Sequence, residues 1–86
     1  MKPFRLLISS PEGILFQNEI VKLDVRGAEG DLAVMAGHTP FITSLQNAPI
    51  ILWNEDGTSK KATSDGGILT VGREKVILLS TTFHWE

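Results

Sequence analysis

The chain has 86 residues, 42% of them hydrophobic and 21% charged, with a formal net charge of -2. That length supports one hydrophobic core, so residues 1–86 read as a single domain, and the composition is that of a globular chain, neither disordered nor membrane-spanning. The absence of cysteine excludes disulfides, thiolate metal sites and a Cys nucleophile, and near-neutral charge argues against a general binder of nucleic acid.

Met1-Lys2-Pro3 is followed by an apolar run too short, and interrupted too early by Arg5, to act as a secretory leader. Ile, Val and Thr together outnumber Ala and Glu, and Gly or Pro recurs so often that few stretches could hold a long helix. Phe4, Leu6 and Ile8 alternate with Arg5, Leu7 and Ser9, which predicts a first strand. Ser10-Pro11-Glu12-Gly13 predicts a tight turn. From Ile14 to Arg26, Phe16, Ile20 and Leu23 would also fit one face of a helix. Strand is nevertheless predicted, because Val21, Leu23 and Val25 alternate without a break with Lys22, Asp24 and Arg26. Further strands are expected over Ile50 to Asn54, after the turn Asn54-Glu55-Asp56-Gly57, over Ile68 to Val71, and over Val76 to Ser80 following the hairpin Gly72-Arg73-Glu74-Lys75. The continuous apolar run in the last of these reads as a strand buried on both faces. Short strands joined by hairpin turns without a crossover helix predict an all-β fold, an antiparallel β-sandwich or flattened barrel of about ten strands.

The segment Gly27 to Pro40 stands apart. It concentrates three glycines, Glu29, Asp31, His38 and Pro40, which predicts mostly turns, with at most a short strand over Leu32 to Met35. Glu29, Asp31 and His38 could be read as metal ligands, but their spacing fits no familiar ligand pattern; a solvated acidic loop is the plain alternative. Other chemistries find no support. Neither Gly27 to Gly30 nor Gly66-Gly67 is followed by the Lys-Ser/Thr and helix of a phosphate-binding loop, and no Gly-x-Ser-x-Gly elbow is present. The six aromatic residues are not interleaved with a basic run, so no nucleic-acid groove is expected; Lys60-Lys61 reads as the solvent side of a strand.

Gly27-Ala28-Glu29-Gly30-Asp31, then Val34 and Gly37-His38 with Pro40, resemble the signature G-[AS]-E-G-[DE]-x-G-[VI]-x-x-G-H-x-P of the epsilon subunits of F-type ATP synthases. Ser9-Ser10-Pro11-Glu12-Gly13 with Phe16 resembles that family's S/T-P-E-x-x-x-F, and Gly66 to Val71 with Val76 resembles its G-G-[FI]-L-x-V and final strand. The three motifs occur in order and cover essentially the whole chain. Two departures are Ala33, where the family usually has Gly, and Arg26, where Pro or Thr is more usual. Ala33 suggests either a negative φ at that position or a slightly different local turn. Full-size members also continue into a helical hairpin, whereas this chain stops at Glu86.

The resemblance implies a non-catalytic central-stalk subunit without cofactor or small-molecule substrate. One sheet face would clamp the gamma subunit, and a loop end would rest on the c-ring of the membrane sector. Glu29, Gly30 and Asp31 are the implied ring-contact residues, with His38, Ser10 and Thr43 in second rank. The implied location is peripheral, at the cytoplasmic face of a bacterial inner membrane or an equivalent energy-coupling membrane. Without the hairpin, neither hairpin-type inhibition of ATP hydrolysis nor ATP sensing is expected. The rival readings are a β-sandwich adaptor of another assembly and a ligand-binding barrel or enzyme, the last needing a convergent polar pocket that the sequence does not display.

Overall fold

A computed structural model describes residues 2–86. Among them are ten strands and no helix: β1 Phe4–Ser10, β2 Gly13–Ile20, β3 Lys22–Gly27, β4 Gly30–Val34, β5 Phe41–Leu45, β6 Ala48–Trp53, β7 Ser59–Ser64, β8 Gly67–Val71, β9 Lys75–Leu79 and β10 His84–Trp85. They form one curled sheet in the order β10-β7-β6-β3-β5-β8-β9-β1-β2, with β4 added on β3. Every pairing is antiparallel except β1 with β9, where Leu6 lies beside Val76 and Ile8 beside Leu78 in parallel register.

The sheet folds over into two layers because the chain turns corners between strands. We call β5-β8-β9-β1-β2 sheet one and β10-β7-β6-β3-β4 sheet two. The stretch Ile14 to Arg26, expected as continuous strand, divides at such a corner: Ile20 and Val21 are both buried, which strict alternation forbids, and the Val21 amide donates to the Trp53 carbonyl at 2.9 Å. The chain thereby passes from sheet one into sheet two. It returns at Gln46-Asn47, where Gly27 faces Leu45 but Asp24 faces Ile51, a slip in register that bends the β5–β6 ribbon across both layers.

Leu6, Ile8, Leu69, Val71, Val76 and Leu78 of sheet one pack against Leu23, Val25, Val34, Ile50, Leu52 and Ala62 of sheet two. Burying each of the larger side chains stabilises the fold by about 1.5–3 kcal/mol relative to leaving it exposed. The outer ends of the sheet approach one another through aromatic rings rather than a backbone ladder. Trp85 meets Phe16 edge-on at 5.8 Å and Phe83 at 4.9 Å, and Lys60 Nζ lies 4.3 Å from its centroid.

Sequence patterning needs two corrections here. The strand β9 is not buried on both faces: Val76 and Leu78 face the core, while Leu79 is 46% exposed. The segment after Arg26 is less loop-like than expected, since β3 and β4 form a hairpin whose turn is only Ala28-Glu29. The strands β5 and β10 have no counterpart in the periodicity argument.

The β6–β7 turn carries a small pH-dependent element. Asp56 Oδ1 accepts from the Thr58 hydroxyl at 2.6 Å and from the Thr58 amide at 2.9 Å, and these bonds, the hydroxyl foremost, hold the Asp56 carboxyl below its ordinary 3.8. Because the folded value is the depressed one, the turn's contribution is fully present above the ordinary value and is lost as pH falls through the folded value. Thr58→Ala should move the Asp56 titration back up towards 3.8. A carboxyl NMR titration that does not move would show that the hydroxyl is not the cause.

Candidate partner-docking surfaces

Two surfaces differ from an ordinary solvated exterior. The first is the β3–β4 hairpin, which hooks over β5. Gly30 has φ +123, a conformation rarely open to other residues. Gly27 serves a different purpose, close approach: a Cβ there would lie 2.8 Å from Leu32 Cδ2 and 3.1 Å from Thr43 Oγ1. Ala33 has a negative φ, one of the two outcomes that its replacement of the usual Gly suggests. Thr43 Oγ1 accepts from the Ala28 amide at 3.0 Å, and Gln46 Nε2 donates to the Gly27 carbonyl at 2.9 Å and the Ala28 carbonyl at 3.3 Å. These bonds fix the tip against sheet one. A groove of about 650 Å³ runs along this contact, lined by Glu29 and Asp31 of the hairpin and by Ile42 of β5.

The two acids are not equivalent. Asp31 stands opposite Arg26 in the hairpin register and accepts from its Nε at 2.9 Å, whereas Glu29 enters no ion pair among the described residues. Thr43 is half-buried and holds the tip from behind. His38 is exposed near the far end of β5; its amide donates to the Met35 carbonyl at 3.2 Å and its ring lies 5.0 Å from that of Phe41. Ser10 lies apart from this group, at the β1–β2 turn. It accepts from the Glu12 amide at 3.2 Å and donates to Glu12 Oε2 at 3.1 Å. The structure thus brings Glu29, Gly30, Asp31 and Thr43 together, links His38 to them only through Phe41, and leaves Ser10 elsewhere. Among the described residues, no three His, Asp or Glu side chains converge as metal ligands would.

The second surface is the outward face of sheet one. Register places Ile42, Thr70, Ile77 and Leu7 in one row across β5, β8, β9 and β1. The adjacent row runs Ser44, Ile68, Leu79, Ser9 and Ile14. Ile42 is 72% exposed, Ile14 61% and Ile68 48%. Lys75, Arg5 and Glu19 form a charged row at one border.

The outward face of sheet two is the opposite in character. Lys22, Asp24 and Arg26 line β3 there, and Lys61 faces Ile51. Asp24 accepts from the Trp53 indole N–H at 2.8 Å and lies 3.7 Å from Lys22 Nζ. Lys22 with Asp24 and Arg26 with Asp31 partner one another, and with the exposed Lys61 they suit water. The apolar face of sheet one escaped the sequence reading because Ile68 and Leu79 sit in apolar runs that look like core. Ile42 was the available signal, an isoleucine between the inward Phe41 and Thr43.

The sequence model for "ATP synthase, Delta/Epsilon chain, beta-sandwich domain" matches residues 3–86. The "ATP synthase epsilon chain, sodium ion specific" of Acetobacterium woodii is 35% identical over 82 residues, covering 95% of this chain and 62% of that protein. The ATP synthase epsilon chain of Caldicellulosiruptor saccharolyticus is 33% identical over 85 residues, covering 99% of this chain and 61% of that one. This chain therefore spans less than two thirds of either relative. Among solved structures, a chain of the Euglena gracilis mitochondrial ATP synthase superposes with a TM-score of 0.90 at 19% identity, covering 96% of this chain and 53% of that chain. A chain of the Tetrahymena thermophila mitochondrial ATP synthase central stalk/c-ring structure gives 0.78 at 9% identity, covering 96% and 66%. Those two likenesses establish the fold, and the family match together with identities above 30% over nearly all of the chain establishes the lineage: this chain belongs to the ATP synthase delta/epsilon chain β-sandwich family.

Proposed function

We propose that the chain is a rotor element of an F-type ATP synthase, holding the gamma subunit with the outward face of sheet one and meeting the c-ring with the β3–β4 hairpin. The observation that carries this reading is the contrast between the two outward faces. A contiguous band of exposed Ile and Leu on one side and self-paired charges on the other suit a domain docked through the first and wetted on the second. The work is mechanical: gamma, ring and this domain turn as one body, and the chain contributes interface energy rather than catalysis. Its attachment to an energy-coupling membrane, at the cytoplasmic face in a bacterium, would run through the ring.

Within the hairpin, Glu29 is the acid free to meet a basic partner group, while Asp31 and Thr43 hold the tip in shape. Charge at such a rim sets orientation and encounter rate more than affinity. Co-purification tests the docking role: the chain should be retained by gamma from an ATP synthase, and failure to bind gamma at micromolar concentrations would sink the reading. For the hairpin, Glu29→Lys should change stability by no more than about 0.5 kcal/mol, yet slow ring association at low salt and weaken ion-driven ATP synthesis in the assembled enzyme. Coupling identical to that of the parent would mean that Glu29 is simply solvated.

A further inference from the structure

We propose that the partner covering sheet one inserts a large aliphatic or aromatic side chain into the recess at the Ser10 end of that sheet. The inference rests on the docking reading above and adds an anchor to it. A cavity of about 600 Å³ opens between the turn at Ser10-Pro11, the corner at Asp65-Gly66 and Thr81. Ile68 and Leu79 line it and also belong to the exposed apolar row of sheet one, so recess and face form one continuous surface. A partner lying on the face passes directly over the opening.

The chemistry of the walls selects the occupant. Ser80 Oγ pairs with Ser64 Oγ at 2.6 Å, Thr82 Oγ1 accepts from the Asp65 amide at 3.0 Å, and the Ser10 hydroxyl is engaged by Glu12. Among the described residues, no buried side-chain N or O lacks a hydrogen-bond partner. A polar guest would give up its bonds to water and find few in exchange, whereas an apolar one gains from burial. A free small molecule would also need several convergent polar groups to orient it; of the lining side chains only the Asp65 carboxylate and the Thr81 hydroxyl, both exposed, enter no hydrogen bond or ion pair among the described residues. A side chain has no such need, because its own backbone is held by the face. The same hydroxyl network ties the chain at residues 64–66 to that at residues 80–82, so the recess is already formed before a partner arrives, which lowers the ordering cost of binding. Buried anchors in pockets of this kind dominate interface energies.

The test uses this chain with the gamma subunit of the same ATP synthase and three variants, each checked by circular dichroism and urea midpoint. Thr81 is exposed on the rim of the recess, so Thr81→Trp fills it from outside the core. Thr81→Ser leaves it open, and Ile42→Asp places a charge on the face away from it. We expect Thr81→Trp to weaken gamma binding by about tenfold or more, with Thr81→Ser at parent affinity and Ile42→Asp weakened. If Thr81→Trp binds within about twofold of the parent while Ile42→Asp is weakened, the anchor is wrong and the docking face survives. If Thr81→Ser loses as much as Thr81→Trp, the effect is not one of filling, and the anchor is again wrong. If neither Thr81→Trp nor Ile42→Asp weakens binding, the docking reading itself falls. Should Thr81→Trp lower the urea midpoint, the smaller Thr81→Leu replaces it under the same criteria.

Discussion

Leu69→Ala should cost about 2–5 kcal/mol of folding stability, whereas Ile68→Ala, one residue earlier, should change it by no more than about 0.5 kcal/mol in the isolated domain. Leu69 is fully buried at the middle of β8, facing Thr43 on one neighbour and Leu78 on the other. The cavity left by its truncation is walled by strands paired on both sides, which limits collapse around it. A domain of this size has roughly 5–10 kcal/mol of total stability, so the loss would be a large fraction of the whole. Ile68 points the other way and is 48% exposed, so its removal vacates surface rather than core. Urea denaturation with an unchanged slope measures both. Equal losses at the two positions would show that β8 is buried on both faces and that the exposed face of sheet one is an error.

That comparison marks where the sequence was legible. The alternation of Leu6 and Ile8 with Arg5 and Ser9, and of Leu23 and Val25 with Lys22, Asp24 and Arg26, gave strands and inward faces correctly, because polar side chains punctuate those segments. In β9 the apolar run is continuous from Val76 to Leu79, and in β8 Ile68 and Leu69 stand side by side. A face that docks on a partner draws on the same residues as a face buried in the fold, so periodicity cannot separate them. The strand β5 was hidden for another reason: five residues after Pro40, with Thr43 and Ser44 in place of apolar alternation, look like loop until pairing with β8 is known. Family motifs located the Glu29 hairpin, but not the difference between its acids. That difference depends on cross-strand register, which a two-residue turn sets and which places Arg26 opposite Asp31. Thr43 lies fifteen residues from the amide that it receives, and no local pattern announces such a bond.

Ile14→Asp and Ile42→Asp should each weaken gamma binding by about tenfold, and together by about a hundredfold, while the domain stays folded. The two positions lie on β2 and β5, the outermost strands of sheet one, and both are more than half exposed, so a carboxylate at either is hydrated in the free chain. With neighbouring strands spaced about 4.8 Å apart, four spacings separate the sites by roughly 19 Å. That distance exceeds the range over which substitutions usually couple. Additive losses would therefore mean that gamma covers the sheet from edge to edge and strips water from both carboxylates. A loss confined to Ile42→Asp would restrict the footprint to the β5 side, next to the Glu29 hairpin, and would place gamma and the ring on neighbouring surfaces. Lys61→Glu on the outward face of sheet two supplies the control, since that face is expected to remain in water: its affinity for gamma should match the parent. A loss there equal to that of Ile42→Asp would reverse the assignment of the two faces.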